Sequence, residues 1–142
     1  MRKHKDSQGF AVFRGGHFDP WMAQEERERL GISAEARRCI EATSECYTAC
    51  AETLTYSLNG RAPLFDMRSL RLLIDCCEVC QTTQDSLLRT SEVGTMLASV
   101  CAEACEKVAE CMRELDGSDD QFITCAEVCE NTAECCRALA LV

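Results

Sequence analysis

The sequence predicts an all-α protein, an antiparallel up-down four-helix bundle preceded by an N-terminal leader. Three observations lead there. Cys-x-x-x-Cys occurs four times, as Cys46/Cys50, Cys76/Cys80, Cys101/Cys105 and Cys125/Cys129. Turn-forming residues fall between successive pairs. Around each pair, apolar and acidic residues separate at helical spacing.

The leader, residues 1–33, differs in composition from the rest. It carries Gly9, Gly15, Gly16 and Gly31, Pro20, the single Trp (Trp21) and both histidines. Asp19-Pro20-Trp21 has the form of a start for one short helix through Glu28 and Arg29, with Gly31 ending it. Residues 34–142 form the second unit and divide into helical stretches at roughly 34–58, 64–89, 91–116 and 119–141. Asn59-Gly60-Arg61-Ala62-Pro63 is a stop followed by a Pro restart. Asp116-Gly117-Ser118 ends the third stretch, and Ser118 with Gln121 has the capping-box spacing. The remaining boundary, near Thr90-Ser91, rests on one Ser N-cap and a short linker.

Within this frame the cysteines align. Cys39 stands seven before Cys46 and Cys136 seven after Cys129. At about 100° per residue, offsets of four, seven and eleven stay within roughly 40° of one line down a helix. Leu54 and Tyr47, Leu72 and Leu73, Leu97 and Val108, and Phe122, Val128 and Leu139 flank the stripe, while Glu45, Glu52, Glu103, Glu110, Glu127 and Glu134 lie away from it. The stripe therefore faces inward and gives the bundle a sulfur-lined axis.

Composition bounds the function. With 142 residues there is room for one ordinary domain, and a formal net charge of -9 disfavours nucleic acid as a partner. No apolar run approaches the roughly 18 residues a membrane span needs. Met1-Arg2-Lys3-His4-Lys5 is basic like a signal n-region, but Gln8 to Arg14 is too short an apolar run and no small-residue cleavage site follows. A cytoplasmic location is expected, and there the 13 cysteines point to metal or redox chemistry rather than a disulfide scaffold. Their number is odd. Helix neighbours four apart also hold their Cβ atoms about 5–6 Å from each other, too far for a disulfide.

Two metal–sulfur bonds of about 2.3 Å can span such a gap. Soft thiolates select Cu(I), whose low coordination number two sulfurs on one helical turn can satisfy, and sulfur sharing allows about one ion per thiol. The candidate ligands are Cys39, Cys46, Cys50, Cys76, Cys77, Cys80, Cys101, Cys105, Cys111, Cys125, Cys129, Cys135 and Cys136, with Met67 and Met112. Counting levels along antiparallel helices puts the four pairs in the central layers. Cys39, Cys135 and Cys136 fall near the start of the first helix, and Cys111, Met67 and Met112 at the opposite end. That opposite end is the expected ion entrance. Cys77, Cys111 and Cys135 sit off the main line, where a cysteine can serve as a small hydrophobe, and the methionines can serve as core filler. His4 and His17 read as solvated surface.

Other chemistries stay open. Two pairs on facing helices would close a zinc site. Only Cys77-x-x-Cys80 resembles an iron–sulfur run, and it sits in a helix. A thiol redox enzyme needs one activated cysteine with a resolving partner, and none stands out. No acidic residue has a partner that would make it a catalytic acid, so no enzyme is expected.

The repeated pairs, their seven-residue extensions and the fragments Cys101-Ala-Glu-Ala-Cys105 and Cys125-Ala-Glu-Val-Cys129 resemble the copper storage protein family, a cysteine-rich four-helix-bundle group also described as ferredoxin-like, over roughly residues 34–142. The resemblance implies storage of multiple Cu(I) ions along the axis, tetrameric assembly and a cytosolic setting for members without an export signal; a copper chaperone is the expected source of the ions. Ser57, Ser69, Leu87, Gly94 and Met112 stand where a longer cysteine column would continue, which implies lower capacity at the ends.

Overall fold

The computed structural model describes residues 31–60 and 66–141. The short helix expected within the leader and the Pro63 restart lie outside them. Four helices follow in order: α1 Ala34–Leu58, α2 Met67–Leu88, α3 Gly94–Leu115 and α4 Asp120–Ala140. Successive helices pack on one another, α1 closes the ring against α4, and the α3–α4 interface is the most extensive. This is the up-down four-helix bundle that the punctuation predicts.

Local chemistry sets the boundaries. Ser33 accepts from the Ala36 amide at 3.1 Å to start α1, and Asp66 accepts from the Ser69 amide at 2.8 Å to start α2. Gly60, at φ +73°, ends α1 in the left-handed region as Asn59-Gly60 implies. Two starts differ from expectation. The capping box from Ser118 does not form; Asp119 caps α4 instead, accepting from the Gln121 and Phe122 amides, while Ser118 turns back to Asp116. A carboxylate one residue nearer the helix takes the orphan amides first.

The Thr90-Ser91 boundary is also built differently. The Ser91 amide donates to Ser86 O at 2.9 Å and the Thr90 amide to Leu87 O at 3.1 Å, a Schellman stop with Thr90 at φ 51° where glycine is usual. Ser91 does not cap α3. Its hydroxyl accepts from the Val93 amide in the preceding turn, and α3 begins at Gly94, where an added Cβ would stand 3.0 Å from Leu87 Cδ2.

Large apolar side chains gather at the two ends of the axis. Ile32, Ile40, Leu87, Leu88 and Leu139 are buried toward the start of α1. At the far end, Phe122 and Met112 are buried and Tyr56 meets Phe122 edge-on, centroids 6.0 Å apart at 88°. Tyr56 also donates to Asp119 at 2.7 Å, tying α1 to the start of α4. On the outer edge of α3 and α4, Arg113 forks Glu130 and Arg137 forks Glu106. These pairs are about half exposed and screened by solvent, so they add little to stability. No helix among the described residues is long and apolar enough to cross a membrane.

Candidate metal centre

Between the two apolar ends the interior is sulfur. Cys39, Cys46, Cys50, Cys76, Cys80, Cys101, Cys105, Cys125, Cys129 and Cys136 are each 0% exposed. Each helix supplies its Cys-x-x-x-Cys pair to this string, because residues four apart share a face and antiparallel packing turns the four faces together. All thirteen cysteines are free thiols.

The sulfurs lie close across helices. Cys46 is 3.9 Å from Cys76, 3.6 Å from Cys105 and 3.6 Å from Cys129. Cys50 lies 3.9 Å from Cys129, Cys76 3.8 Å from Cys105 and Cys80 3.7 Å from Cys101. Cys39 and Cys136 close the string toward the start of α1 at 3.2 Å. Every separation exceeds the roughly 2.05 Å of a disulfide. Every one also falls within the reach of two metal–sulfur bonds of about 2.3 Å, so one ion can bridge each pair without moving a helix.

Two groups concentrate this geometry. The sulfurs of Cys46, Cys50, Cys76 and Cys129 lie within 4.8 Å of one another, as do those of Cys46, Cys76, Cys80 and Cys105. Cys46 and Cys76 belong to both. Ions held in the two groups would therefore share sulfurs, which is how thiolates build clusters rather than separate sites.

Protonation follows the S–H···S contacts. Cys76 lies at about 3, pulled down chiefly by the S–H of Cys105 and then that of Cys129. Cys125 lies at about 4, pulled down by Cys129 and then Cys50. Cys46 is lowered by Cys105 and Cys129, and Cys101 by Cys105 and Cys136. The donors move the other way: Cys129 is raised by its contacts with Cys105 and Cys125, and Cys80 by Cys101 and Cys105, with burial adding to both. The string thus shares protons among sulfurs, and a soft cation entering it replaces those protons as the compensating charge.

Three cysteines leave the line. Cys111 is buried away from the string, 3.1 Å from Ser69 Oγ and 3.6 Å from Arg68 Nη1. Ser69 uses its own hydrogen on Asp66, so the Cys111 thiol donates to Ser69. Cys77 is half-buried, its sulfur 3.8 Å from Tyr47 O, and Cys135 is half-buried, raised by burial and by the neighbouring Cys39. Of the methionines, Met112 is 0% exposed in the core and Met67 is 59% exposed. Tyr47, expected to flank the stripe, is 36% exposed on the bundle's outer side, because Cys46 takes the inward direction beside it. The six glutamates expected outside the stripe are all exposed.

The interior also holds polar residues that the cysteine pattern does not mark. Thr43, Thr53, Thr83 and Thr132 are each 0% exposed. Thr43 donates to Cys39 O, Thr53 to Ala49 O, and Thr132 to Val128 O and Ala42 O. Each threonine stands three residues from a string cysteine, a spacing that could have placed them inside, and returning the hydroxyl to a carbonyl lets it be buried. Gln84, four after Cys80 and 1% exposed, keeps its Nε2 without a partner.

The sequence profile described as copper storage protein matches residues 32–141. Two solved structures align over 75% of the chain. A protein of Nitrosospira multiformis is 30% identical, with a TM-score of 0.68 and 95% of its own length covered. A Cu(I)-bound copper storage protein, BsCsp3, is 25% identical, with a TM-score of 0.65 and 98% of its length covered. No curated protein sequence matches the chain at a significant level. With its four thiol-bearing helices and a match across nearly the whole bundle, the chain belongs to the copper storage protein family.

Proposed function

We propose that this chain stores Cu(I) in the cytoplasm, holding several ions on thiolates along the bundle axis and catalysing no reaction. The observation that carries the reading is the pair of four-sulfur groups sharing Cys46 and Cys76 within a string of fully buried thiols. Family membership and the copper bound by BsCsp3 support the same cargo. The ten string cysteines are the principal ligands. Cys77, Cys111, Cys135, Met112 and Met67 belong to the wider set at the wall and ends, where capacity falls. The same reading includes assembly into a homotetramer, which family membership supports, and loading by a copper chaperone.

The helices arrange the thiols before any ion arrives, so loading costs little reorganisation; each bound ion displaces thiol protons to solvent. Soft sulfur ligands favour Cu(I) over harder cations. A second reading rests on one observation: four sulfurs within 4.8 Å also meet the ligand type and number of a structural zinc site.

Anaerobic titration of the reduced protein with Cu(I) against a chromophoric chelator separates the two readings. Storage gives tight uptake of about ten ions, one for each thiol of the string, with helicity constant from the start. Uptake of one or two ions, or zinc that micromolar Cu(I) does not displace, overturns it.

A further inference from the structure

One polar atom of the interior is left over. Gln84 is 1% exposed, and its Nε2 has no hydrogen-bond partner among the described residues. An unpaired donor costs a folded chain stability, so one that is kept calls for a use. The hydroxyls around it are already committed: Thr43 donates to Cys39 O and Ile40 O, Thr83 to Leu97 O, and Thr132 to Ala42 O and Val128 O. The other end of the string makes the contrast. There Gln121, four before Cys125 as Gln84 is four after Cys80, donates its Nε2 to Thr53 Oγ1 at 2.9 Å.

Helix register places Gln84 at the level of one thiol pair. The 3.9 Å contact of Cys46 with Cys76 puts these two residues at a common level of antiparallel α1 and α2. Cys39 stands seven before Cys46 and Gln84 eight after Cys76, so at about 1.5 Å per residue they lie roughly 10 and 12 Å from that level in the same direction. The same count holds on α4. Cys129 meets Cys46, and Cys136, seven residues further, meets Cys39 at 3.2 Å. Gln84 shares the inward face of Cys80, whose sulfur is on the axis 3.7 Å from Cys101, and on α3 the buried Ala98 fills this layer with a single methyl. Two thiols and one amide are therefore the uncommitted polar groups of the layer.

The pair also differs from the rest of the string. Among the described residues neither Cys39 nor Cys136 belongs to a four-sulfur group. Ions that share sulfurs approach one per thiolate and leave a cluster nearly neutral, whereas one ion between two thiolates leaves a negative charge in excess. Both sulfurs are 0% exposed, and a buried anion without water needs a donor.

Resting on the storage reading, we infer that Cys39 and Cys136 hold one Cu(I) as a separate site and that Gln84 is its positioning residue, with Nε2–H donating to a ligating sulfur. Two Cu–S bonds form as ligands of the carrier leave, both S–H bonds break, and both protons pass to solvent. Copper stays Cu(I), so no oxidant or reductant takes part. The amide gains in the loaded protein the partner it lacks in the metal-free one, and so favours loading.

The test compares the parent chain with Gln84→Leu, Cys136→Ser and the double variant. Each is loaded anaerobically from tetrakis(acetonitrile)copper(I) and then equilibrated with rising bathocuproine disulfonate, a chromophoric chelator, after far-ultraviolet circular dichroism verifies the fold. Gln84→Leu is expected to hold one ion about tenfold more weakly and the others at parent strength, while its metal-free Tm rises because the unpaired donor is gone. Cys136→Ser lowers the count by about one ion, and adding Gln84→Leu to it weakens nothing further. Retention of every ion at parent strength in Gln84→Leu overturns the inference. An ion weakened by Gln84→Leu after Cys136 is already replaced also overturns it, assigning the amide to a four-sulfur group. A measurement on the parent chain alone stands beside these: in nitrogen-15 spectra the Gln84 Nε2 protons are expected to move downfield and exchange more slowly on full loading. Unmoved Gln84 resonances in a chain that has taken up its copper overturn this inference and leave storage standing. A parent chain that takes up no Cu(I) overturns the storage reading, and this inference with it.

Discussion

The middle of this bundle and its two ends are built from different materials. The ends hold Ile40, Leu87, Leu88, Leu139, Phe122 and Met112, large side chains that bury carbon. The middle holds ten sulfurs and four buried threonines, whose hydroxyls are returned to the backbone. Cargo chemistry and fold stability are thus placed in separate layers. The thiols can exchange protons for metal while the apolar ends keep the helices in register.

Four experiments probe that separation. The largest effect is expected at an end: Phe122→Ala removes a ring packed against Tyr56 and costs about 3–5 kcal/mol of metal-free stability, read by urea unfolding, with copper bound per folded molecule unchanged. A lower copper number in the folded variant would show that the ends also shape the thiol string. In the middle, Cys46→Ala removes the sulfur common to both four-sulfur groups. It costs only about 1–2 kcal/mol of metal-free stability yet lowers capacity by more than one ion. A loss of a single ion would argue against shared sulfurs.

The third probe is pH. Cys80, Cys129 and Cys136 have folded values raised above the ordinary 9.0, so the folded chain holds their protons more tightly than the unfolded one. Their contribution to metal-free stability is complete below pH 9.0 and is lost as pH rises beyond it. Cys76 and Cys125, lowered to about 3 and about 4, act in the opposite direction: their contribution is complete above pH 9.0 and is lost progressively as pH falls from there through those values. Denaturant melts from pH 7 to 11 check this, and Cu(I)-loaded protein, with its thiol protons already gone, is expected to show a flatter profile. The smallest effect lies outside both layers. Thr90→Gly relieves a β-branched residue at φ 51° and raises stability by about 1 kcal/mol, visible as a small increase in Tm.

The contrast also explains what the sequence made legible. Cysteines repeating at four and seven predict the stripe, and with it the inward face of every helix, because helical geometry leaves little choice once the period is set. Asn59-Gly60 marks the end of α1 in plain local chemistry. What escaped depends on relations between helices or on competition among caps. Cys111 stands off the main line in sequence, but spacing alone does not show that the start of α2 brings Ser69 and Arg68 against it. Asp119 outcompetes Ser118 because two adjacent candidates differ only in reach. Cys77, by contrast, is legible: it lies one residue from Cys76, so the turn that buries Cys76 leaves Cys77 half-buried at the wall, off the main line.

The sharing of Cys46 and Cys76 sets how a half-supplied population should look. The first ion to settle there already holds two of the sulfurs that a second ion needs, so the next ion is admitted on easier terms beside it than in an untouched molecule. Copper then spreads from a seed within one chain before it begins in another. A native mass spectrum at half loading would accordingly show empty and well-filled molecules side by side, and an even ladder of intermediate counts would show the sites filling one by one.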